Sequence, residues 1–223
     1  MIGYAEALDR AAGLLDRRQS RVLLGIAGSP GAGKSFLAAR LVTDLNALMP
    51  GVAVNVPMDG FHLAGAVLRR LGLEARKGAP DTFDAWGYQA LLRRLRDESE
   101  NPVFAPDFDR TLEEPVAGSL EVSQQVRIVV SEGNYLLFDA EPWAGTRALF
   151  TECWFCAIPD AVRTERLLKR HMRFGRDGAA ARAWVSAVDD PNARMIELTR
   201  ARADVIVSTL EDFDARTEVD PSS

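Results

Sequence analysis

Apolar positions along the 223 residues predict strands and helices in alternation. Short apolar runs bounded by turn residues predict strands at 22–27, 52–58, 127–131, 152–158 and 205–208. Apolar residues spaced three or four apart predict helices at 1–18, 34–49, 84–96, 159–174 and 178–188. This alternation predicts an α/β fold of three α/β/α layers, in which a doubly wound, mostly parallel sheet carries its ligand crevice at the strand carboxyl ends.

The remaining segments are less regular. Residues 102–125 are rich in proline, glycine and acidic side chains, which predicts loops with an irregular hairpin. From residue 211 to 223 the apolar period is lost, and we expect a frayed tail. We therefore predict a single domain over residues 1–210, with a small helical lid at about residues 163–182.

Composition narrows the classes of partner. The formal net charge of -5 disfavours a nucleic-acid partner, because phosphate backbones bind basic surfaces. No apolar stretch reaches about 18 residues, so we expect no membrane span. Cys153 and Cys156 lie three apart in a predicted strand and would face opposite ways, which predicts buried free thiols and a reduced, cytoplasmic setting.

A glycine-rich motif follows the first predicted strand and matches G-x-x-x-x-G-K-[ST] in full. The motif comprises Gly28, Ser29, Pro30, Gly31, Ala32, Gly33, Lys34 and Ser35. Glycines let several backbone N–H groups converge on phosphate oxygens, and the next helix presents its positive N-terminal end. The motif predicts ATP binding: Lys34 on the β- and γ-phosphates, Ser35 on Mg²⁺, and Phe36 as a further nucleotide neighbour. The alternative is a plain glycine-rich turn with an exposed lysine.

Two further strand ends carry carboxylates. Asp59 follows the second predicted strand and suits a base that takes a proton from an acceptor hydroxyl, with His62 as a hydrogen-bonding partner for the substrate. Glu132 follows the third strand, in the place of a Walker-B acid that holds Mg²⁺, with Asn134 as a substrate candidate. Each residue also has an alternative without a catalytic role. Asp59 would then belong to a simple Asp-Gly turn, His62 would cap a helix, and Glu132 would be an exposed glutamate at a strand end.

A row of arginines marks the predicted lid. Arg163, Arg166, Arg170 and Arg173 are spaced 3, 4 and 3 apart on one helical face, and Arg176 follows them. Arginines in a lid stabilise the charge on a transferring phosphoryl group, which makes Arg170, Arg173 and Arg176 candidates, with Arg173 as the catalytic one. A solvated helix face is the alternative interpretation.

Together these motifs resemble the phosphoribulokinase/uridine kinase-like family of P-loop kinases, which includes bacterial-type pantothenate kinase. The resemblance is carried by GSPGAGKS (28–35), MDGFH (58–62), PDFDR (106–110), SEGNYLL (131–137) and RLLKRH (166–171). Residues 189–194 and 200–204 are similar to a branch described as nucleoside kinase-like or fructose-transport-system kinase.

The resemblance implies transfer of the ATP γ-phosphoryl group to an alcohol, with Asp59 as base and Glu132 as the Mg²⁺-associated acid. It also implies that residues 106–110 shape the acceptor pocket, which makes Phe108, Asp109 and Arg110 substrate candidates. Asn192 and Arg194 would lie near the adenine. A homodimer is compatible with the family.

The acceptor is left open between a sugar such as fructose and a nucleoside-like molecule, with a pantothenate- or glycerate-type kinase as a further alternative. Gly60-Phe61-His62 stand where uridine kinases carry Ser-Phe-Tyr, and the chain is shorter than pantothenate kinase. A regulatory P-loop ATPase without a small-molecule acceptor is the main competing hypothesis. A GTPase is disfavoured because the chain has no N-K-x-D sequence.

Overall fold

Five parallel strands form the central sheet in the computed structural model, which describes residues 1–17, 20–98 and 100–210. In chain order the strands are β1 (Val22–Ala27), β2 (Ala53–Asn55), β3 (Val103–Asp109), β4 (Glu114–Val122), β5 (Ile128–Gly133), β6 (Glu152–Ala157) and β7 (Val205–Ser208). The sheet order is β2-β5-β1-β6-β7, and β3 and β4 form a separate antiparallel hairpin. The central position of β1 directs the loop that follows it into the middle of the crevice.

Helices cover both faces of this sheet. They are α1 (Tyr4–Arg17), α2 (Lys34–Leu48), α3 (Gly65–Leu71), α4 (Ala85–Asp97), α5 (Asp160–Arg173), α6 (Gly178–Trp184) and α7 (Asp190–Glu197). A π-helical turn, Val185–Asp189, joins α6 to α7.

Alternate residues of β1 enter two different cores. Leu23 and Ala27 join the cluster that includes α4 and the base of the hairpin, whereas Val22, Leu24 and Ile26 join the cluster beneath α1 and α2. Burying each large aliphatic side chain contributes about 1.5–3 kcal/mol, so both faces of the strand are strongly anchored. The predicted three-layer α/β/α fold is confirmed.

The two cysteines follow the same alternation. Cys153 belongs to the first cluster and Cys156 to the second, and both are buried free thiols. Burial raises the pKa of both thiols, because the thiolate loses its solvation. The prediction that they face opposite ways is confirmed.

The second strand is shorter than predicted. It ends at Asn55 instead of residue 58, and Met58–Phe61 forms a 3₁₀ turn. Pro57 has no N–H to continue the ladder. Gly60 then comes so close to the hairpin that a Cβ there would lie 2.4 Å from the Pro106 carbonyl oxygen. The chain therefore leaves the sheet before Asp59, not at it.

Three helix predictions need correction. The helix predicted at 178–188 continues through the π-helical turn to Glu197, with Pro191 in the first turn of α7. The short helix α3 was not predicted. Helix α1 begins at Tyr4 instead of residue 1, and its buried face is centred on Ala7, Ala11 and Leu14.

Two further findings bear on the sequence predictions. Within the described residues, no helix is both long and apolar enough to cross a membrane. The tail predicted to fray, 211–223, lies outside the described residues.

Candidate active site

The loop after β1 is shaped to receive an anion. Gly28, Gly31 and Gly33 have φ angles of 148°, 81° and 90°, a region that side chains disfavour. At Gly28 a Cβ would also lie 2.9 Å from the Cys156 carbonyl oxygen. Helix α2 begins at Lys34 without a side-chain cap, so the N–H groups of its first turn face the loop. This is the backbone geometry that a phosphate group requires.

Lys34 is buried inside that loop, with only 8% of its surface exposed. Its Nζ donates to the Ser29 carbonyl oxygen at 3.2 Å. Burial lowers the pKa of Lys34, and the negative charge of Glu132 opposes that shift. A buried ammonium favours a counter-charge, and a triphosphate in the loop would supply one.

Ser35 and Glu132 meet across the crevice. The Ser35 hydroxyl donates to Glu132 Oε1 at 2.8 Å, which joins the first turn of α2 to the end of β5. Burial, and then the negative charge of Asp59, raise the pKa of Glu132, while Lys34 and Ser35 oppose the shift. A hydroxyl and a carboxylate are hard oxygen donors, so this pair fits Mg²⁺.

Asp59 lies on the 3₁₀ turn, close enough to act electrostatically on both Glu132 and Lys34. Gly133 allows this approach, because a Cβ there would lie 2.6 Å from the Met58 Cβ. The Asp59 side chain remains 33% exposed, with Arg110 Nη2 at 3.9 Å from Oδ2. The structure thus brings the predicted base, the predicted metal pair and the P-loop lysine into one crevice.

His62 forms the next wall of the crevice. Its ring lies 4.0 Å from the Phe83 ring and 5.0 Å from the Phe108 ring, measured between centroids. Its Nδ1 is 2.8 Å from the Asp59 carbonyl oxygen, and a carbonyl only accepts, so Nδ1 carries the proton. Burial lowers the pKa of His62, which keeps the ring neutral and leaves Nε2 as an acceptor.

The hairpin β3–β4 supplies the outer part of this wall. Arg110 faces Asp59 as described, but Asp109 Oδ1 accepts from the backbone N–H groups of Thr111 and Leu112. These two hydrogen bonds lower the pKa of Asp109 and commit the carboxylate to closing its own turn. Asn134 is half-buried at the end of β5.

Lys77 is a site residue that sequence reasoning missed. Its Nζ lies 5.1 Å from the centroid of the Phe108 ring and donates to the Glu113 carbonyl oxygen at 2.7 Å. It therefore ties the segment after α3 to the tip of the hairpin. No motif surrounds Lys77, so only the fold of the hairpin over this segment could have revealed it.

The three candidate lid arginines have different surroundings. Arg170 is in electrostatic range of Lys34, Glu132, Asp59 and Arg110, the charged groups of the crevice. Arg170 and Arg173 are both exposed, and Arg173 ends α5.

Arg176 contacts the lid itself. Its Nη1 donates to His171 Nδ1 at 2.9 Å, and its guanidinium carbon lies 4.0 Å from the centroid of the Trp184 ring. That Arg176 reaches the nucleotide stays a prediction; in this structure His171 and Trp184 are the partners of its guanidinium.

Helix α7 borders the P-loop on its outer side. Ser29 Oγ lies 3.4 Å from the Ala193 carbonyl oxygen. Asn192 beside it is buried, whereas Arg194 is exposed. Phe36 is half-buried in the first turn of α2.

The chain was compared with known proteins. A scan against models of protein families gives no match. A Schizosaccharomyces pombe protein named as a candidate uridine kinase is 36% identical over 177 residues, which cover 77% of this chain and 75% of that protein. An ATP-dependent kinase-like protein of Aspergillus versicolor is 37% identical over 145 residues, 61% of this chain and 84% of that protein.

A solved structure is also similar. It is described as a candidate fructose transport system kinase from Silicibacter sp. TM1040 and is 38% identical in sequence. The two folds superpose with a TM-score of 0.82, over 92% of this chain and 99% of that one. The structural similarity extends over nearly the whole chain.

Proposed function

The chain belongs to the uridine kinase-like family of P-loop kinases, and on that premise we propose that it transfers the γ-phosphoryl group of ATP to a hydroxyl group of a small metabolite. The observation that carries this proposal is the shared crevice of Lys34, the Ser35–Glu132 pair and Asp59. Phosphoryl transfer needs a phosphate cradle, a metal site and a group that orients the acceptor, and these residues would supply all three.

The phosphate side would act mainly by positioning. The N–H groups of the P-loop and the Lys34 ammonium would bind the β- and γ-phosphates, with Arg170 approaching from the lid. Ser35 and Glu132 would hold Mg²⁺, which neutralises phosphate charge when it is bound. Because these groups are already in place, little reorganisation would be needed as charge develops on the γ-phosphoryl oxygens.

The acceptor side would act on the hydroxyl. Asp59 would orient the hydroxyl and take its proton, as a general base does. His62 Nε2 would accept a hydrogen bond from a second hydroxyl, since Nδ1 already donates to the backbone. Arg110, whose Nη2 lies 3.9 Å from Asp59 Oδ2, would donate to acceptor oxygens.

The same groups suggest the class of acceptor. Two hydrogen-bond acceptors, Asp59 and His62, would suit a molecule that offers neighbouring hydroxyls, and the Phe108 ring would give it an apolar surface. A sugar such as fructose, or a nucleoside-like acceptor, meets that description. The names of the relatives, a candidate uridine kinase and a candidate fructose transport system kinase, point to the same two classes.

The test is ADP release by the purified protein with ATP and Mg²⁺ against a panel of acceptors. The panel contains fructose and related sugars, ribose, nucleosides, pantothenate and glycerate. Lys34→Ala is the inactive control, and Lys169→Ala, an exposed lysine paired with Glu165, is the matched control for loss of a lysine. Stimulation by one acceptor, absent only in Lys34→Ala, would support the proposal. Slow release that no acceptor stimulates would favour a regulatory ATPase instead.

A further inference from the structure

A buried polar network lies in the lid, outside the crevice itself. We call the side chains of His171, Arg176, Trp184 and Asp189 the lid network. Asp189 is 6% exposed and His171 is 9% exposed, and His171 Nε2 lies 2.7 Å from Asp189 Oδ2. Buried carboxylates are costly without partners, so this pair needs an explanation.

The hydrogen bonds define which ring nitrogen of His171 carries a proton. Arg176 can only donate, so His171 Nδ1 must accept from it and carries no proton. Nε2 then carries the proton and donates to Asp189. The His171 ring is therefore held from both sides, by Arg176 at Nδ1 and by Asp189 at Nε2.

The lid network joins three separate parts of the lid. His171 is on α5, Arg176 is in the connection to α6, and Asp189 is the last residue of the π-helical turn. Trp184 ends α6 and covers the Arg176 guanidinium at 4.0 Å. Because π-helical turns are rare and occur often at functional sites, the placement of Asp189 at the end of one suggests a functional reason.

The preceding residue, Arg170, suggests what that functional reason is. Arg170 shares the last turn of α5 with His171, and its charge interacts with Asp189 on one side. On the other side its charge interacts with Asp59 and Glu132, the carboxylates of the crevice. A tie between His171 and Asp189 restrains this helical turn, from which the exposed Arg170 side chain extends.

We propose that His171 and Asp189 are positioning residues that hold Arg170 toward the ATP phosphates. The proposal rests on the proposed function, since it takes the crevice to be the ATP site. Arg176 supports the network from the outside and is not itself a nucleotide ligand. His171 and Asp189 do not touch the substrate; they act through Arg170.

Three substitutions of His171 separate its two hydrogen bonds. A glutamine amide reaches as far as Nε2 and can still donate to Asp189, whereas an asparagine amide reaches only as far as Nδ1 and can still accept from Arg176. Leucine loses both hydrogen bonds. The measurement is ATP affinity by calorimetry, and Arg96→Ala, an exposed arginine on α4 paired with Asp97, is a remote control.

We expect His171→Gln to keep ATP affinity within about 3-fold of the wild type. His171→Asn and His171→Leu should lose about 10-fold, within the range of one hydrogen bond to a charged group. Thermal unfolding of each variant shows which of them fold, and the Gln and Asn pair decides the question if the Leu variant does not. Retained affinity in His171→Asn together with a loss in His171→Gln would overturn the proposal.

A double-mutant cycle tests whether His171 acts through Arg170. Arg170→Ala should weaken ATP binding by about 10–100-fold. In the Arg170→Ala background, His171→Asn should add almost nothing, because the arginine that it positions is gone. Additive losses would overturn the proposal.

Failure of the proposed function would give a different result. The binding measurements require no acceptor, so a protein that binds ATP but phosphorylates nothing leaves the cycle intact and refutes only the kinase reaction. If wild-type protein does not bind ATP, both proposals are refuted. Nitrogen NMR of labelled histidine adds an independent check: a proton on Nδ1 of His171 instead of Nε2 would overturn the network.

Discussion

The phosphate side and the acceptor side of the crevice differ in the groups that line them. On the phosphate side, backbone N–H groups and the buried Lys34 lie between β1 and α2, and both elements are anchored in the core. On the acceptor side, side chains from the hairpin and the 3₁₀ turn face one another across longer gaps, such as the 3.9 Å between Arg110 and Asp59. The hairpin is buried at Val103 and Val122 but exposed from Arg110 to Glu113.

This difference explains how far the sequence of each side can change without loss of its role. A backbone cradle requires glycine at set positions and accepts one kind of ligand, so its sequence has little freedom. A wall of side chains on a partly exposed hairpin can change its chemistry without disturbing the core. We infer that nucleotide binding depends on the first side and choice of acceptor on the second.

Removal of the P-loop ammonium should have the largest effect. Lys34→Ala should lower turnover by at least about 10³-fold and abolish tight ATP binding, because the loop loses the buried cation that faces the phosphates. Calorimetry and ADP release measure the two quantities. Lys169→Ala should leave both unchanged. An ATP affinity in Lys34→Ala equal to that of the wild type would place the phosphates elsewhere.

Asp59→Asn should impair the acceptor side of the crevice and leave the phosphate side intact. We expect turnover to fall by about 10²–10⁴-fold, the usual contribution of acid–base catalysis, while ATP affinity stays within a few-fold. Asp97→Asn, on the exposed end of α4, is the control. Equal losses in turnover and ATP affinity would assign Asp59 to the phosphate side instead.

Gly60→Ala tests how the acceptor wall is held together. A Cβ at Gly60 would lie 2.4 Å from the Pro106 carbonyl oxygen, so the 3₁₀ turn and the hairpin must separate. Unfolding free energy should fall by about 1–3 kcal/mol, and Asp59 should lose its place. Gly13→Ala in α1 has open space around it and should instead gain about 0.5–1 kcal/mol. Equal stability in the two variants would refute the close contact.

The smallest effect concerns His62 and pH. Burial lowers its pKa below the ordinary value of 6.5, so the unfolded chain takes up a proton that the folded protein resists. Stability should therefore fall as pH drops below about 6.5, until the folded protein is protonated too, by about 1.4 kcal/mol for each unit of the shift. Urea unfolding at several pH values should show a weaker dependence in His62→Gln. Identical pH dependence in the two proteins would contradict this.

Much of the fold and half of the site were predictable from the sequence for a local reason. The P-loop is a continuous motif between a strand and a helix, so the local pattern alone assigns Lys34 and Ser35 to a phosphate site. Glu132 lies at the end of β5 and Asp59 lies on the turn that comes soon after β2, and parallel strands bring such ends together. The surroundings of Asp109 and Arg176 were not predictable, because their partners, the turn at Thr111 and Leu112 and the ring of His171, depend on the tertiary fold.

The sequence by itself determined the α/β class, the phosphate cradle and the two crevice carboxylates, because each depends on short-range spacing or on strand ends. The tertiary structure decided the rest. It ended β2 before Asp59, closed the hairpin over Lys77, and paired Arg176 with His171. These features depend on contacts between residues distant in the chain, such as Gly60 with Pro106 and His171 with Asp189, and no local pattern specifies such contacts.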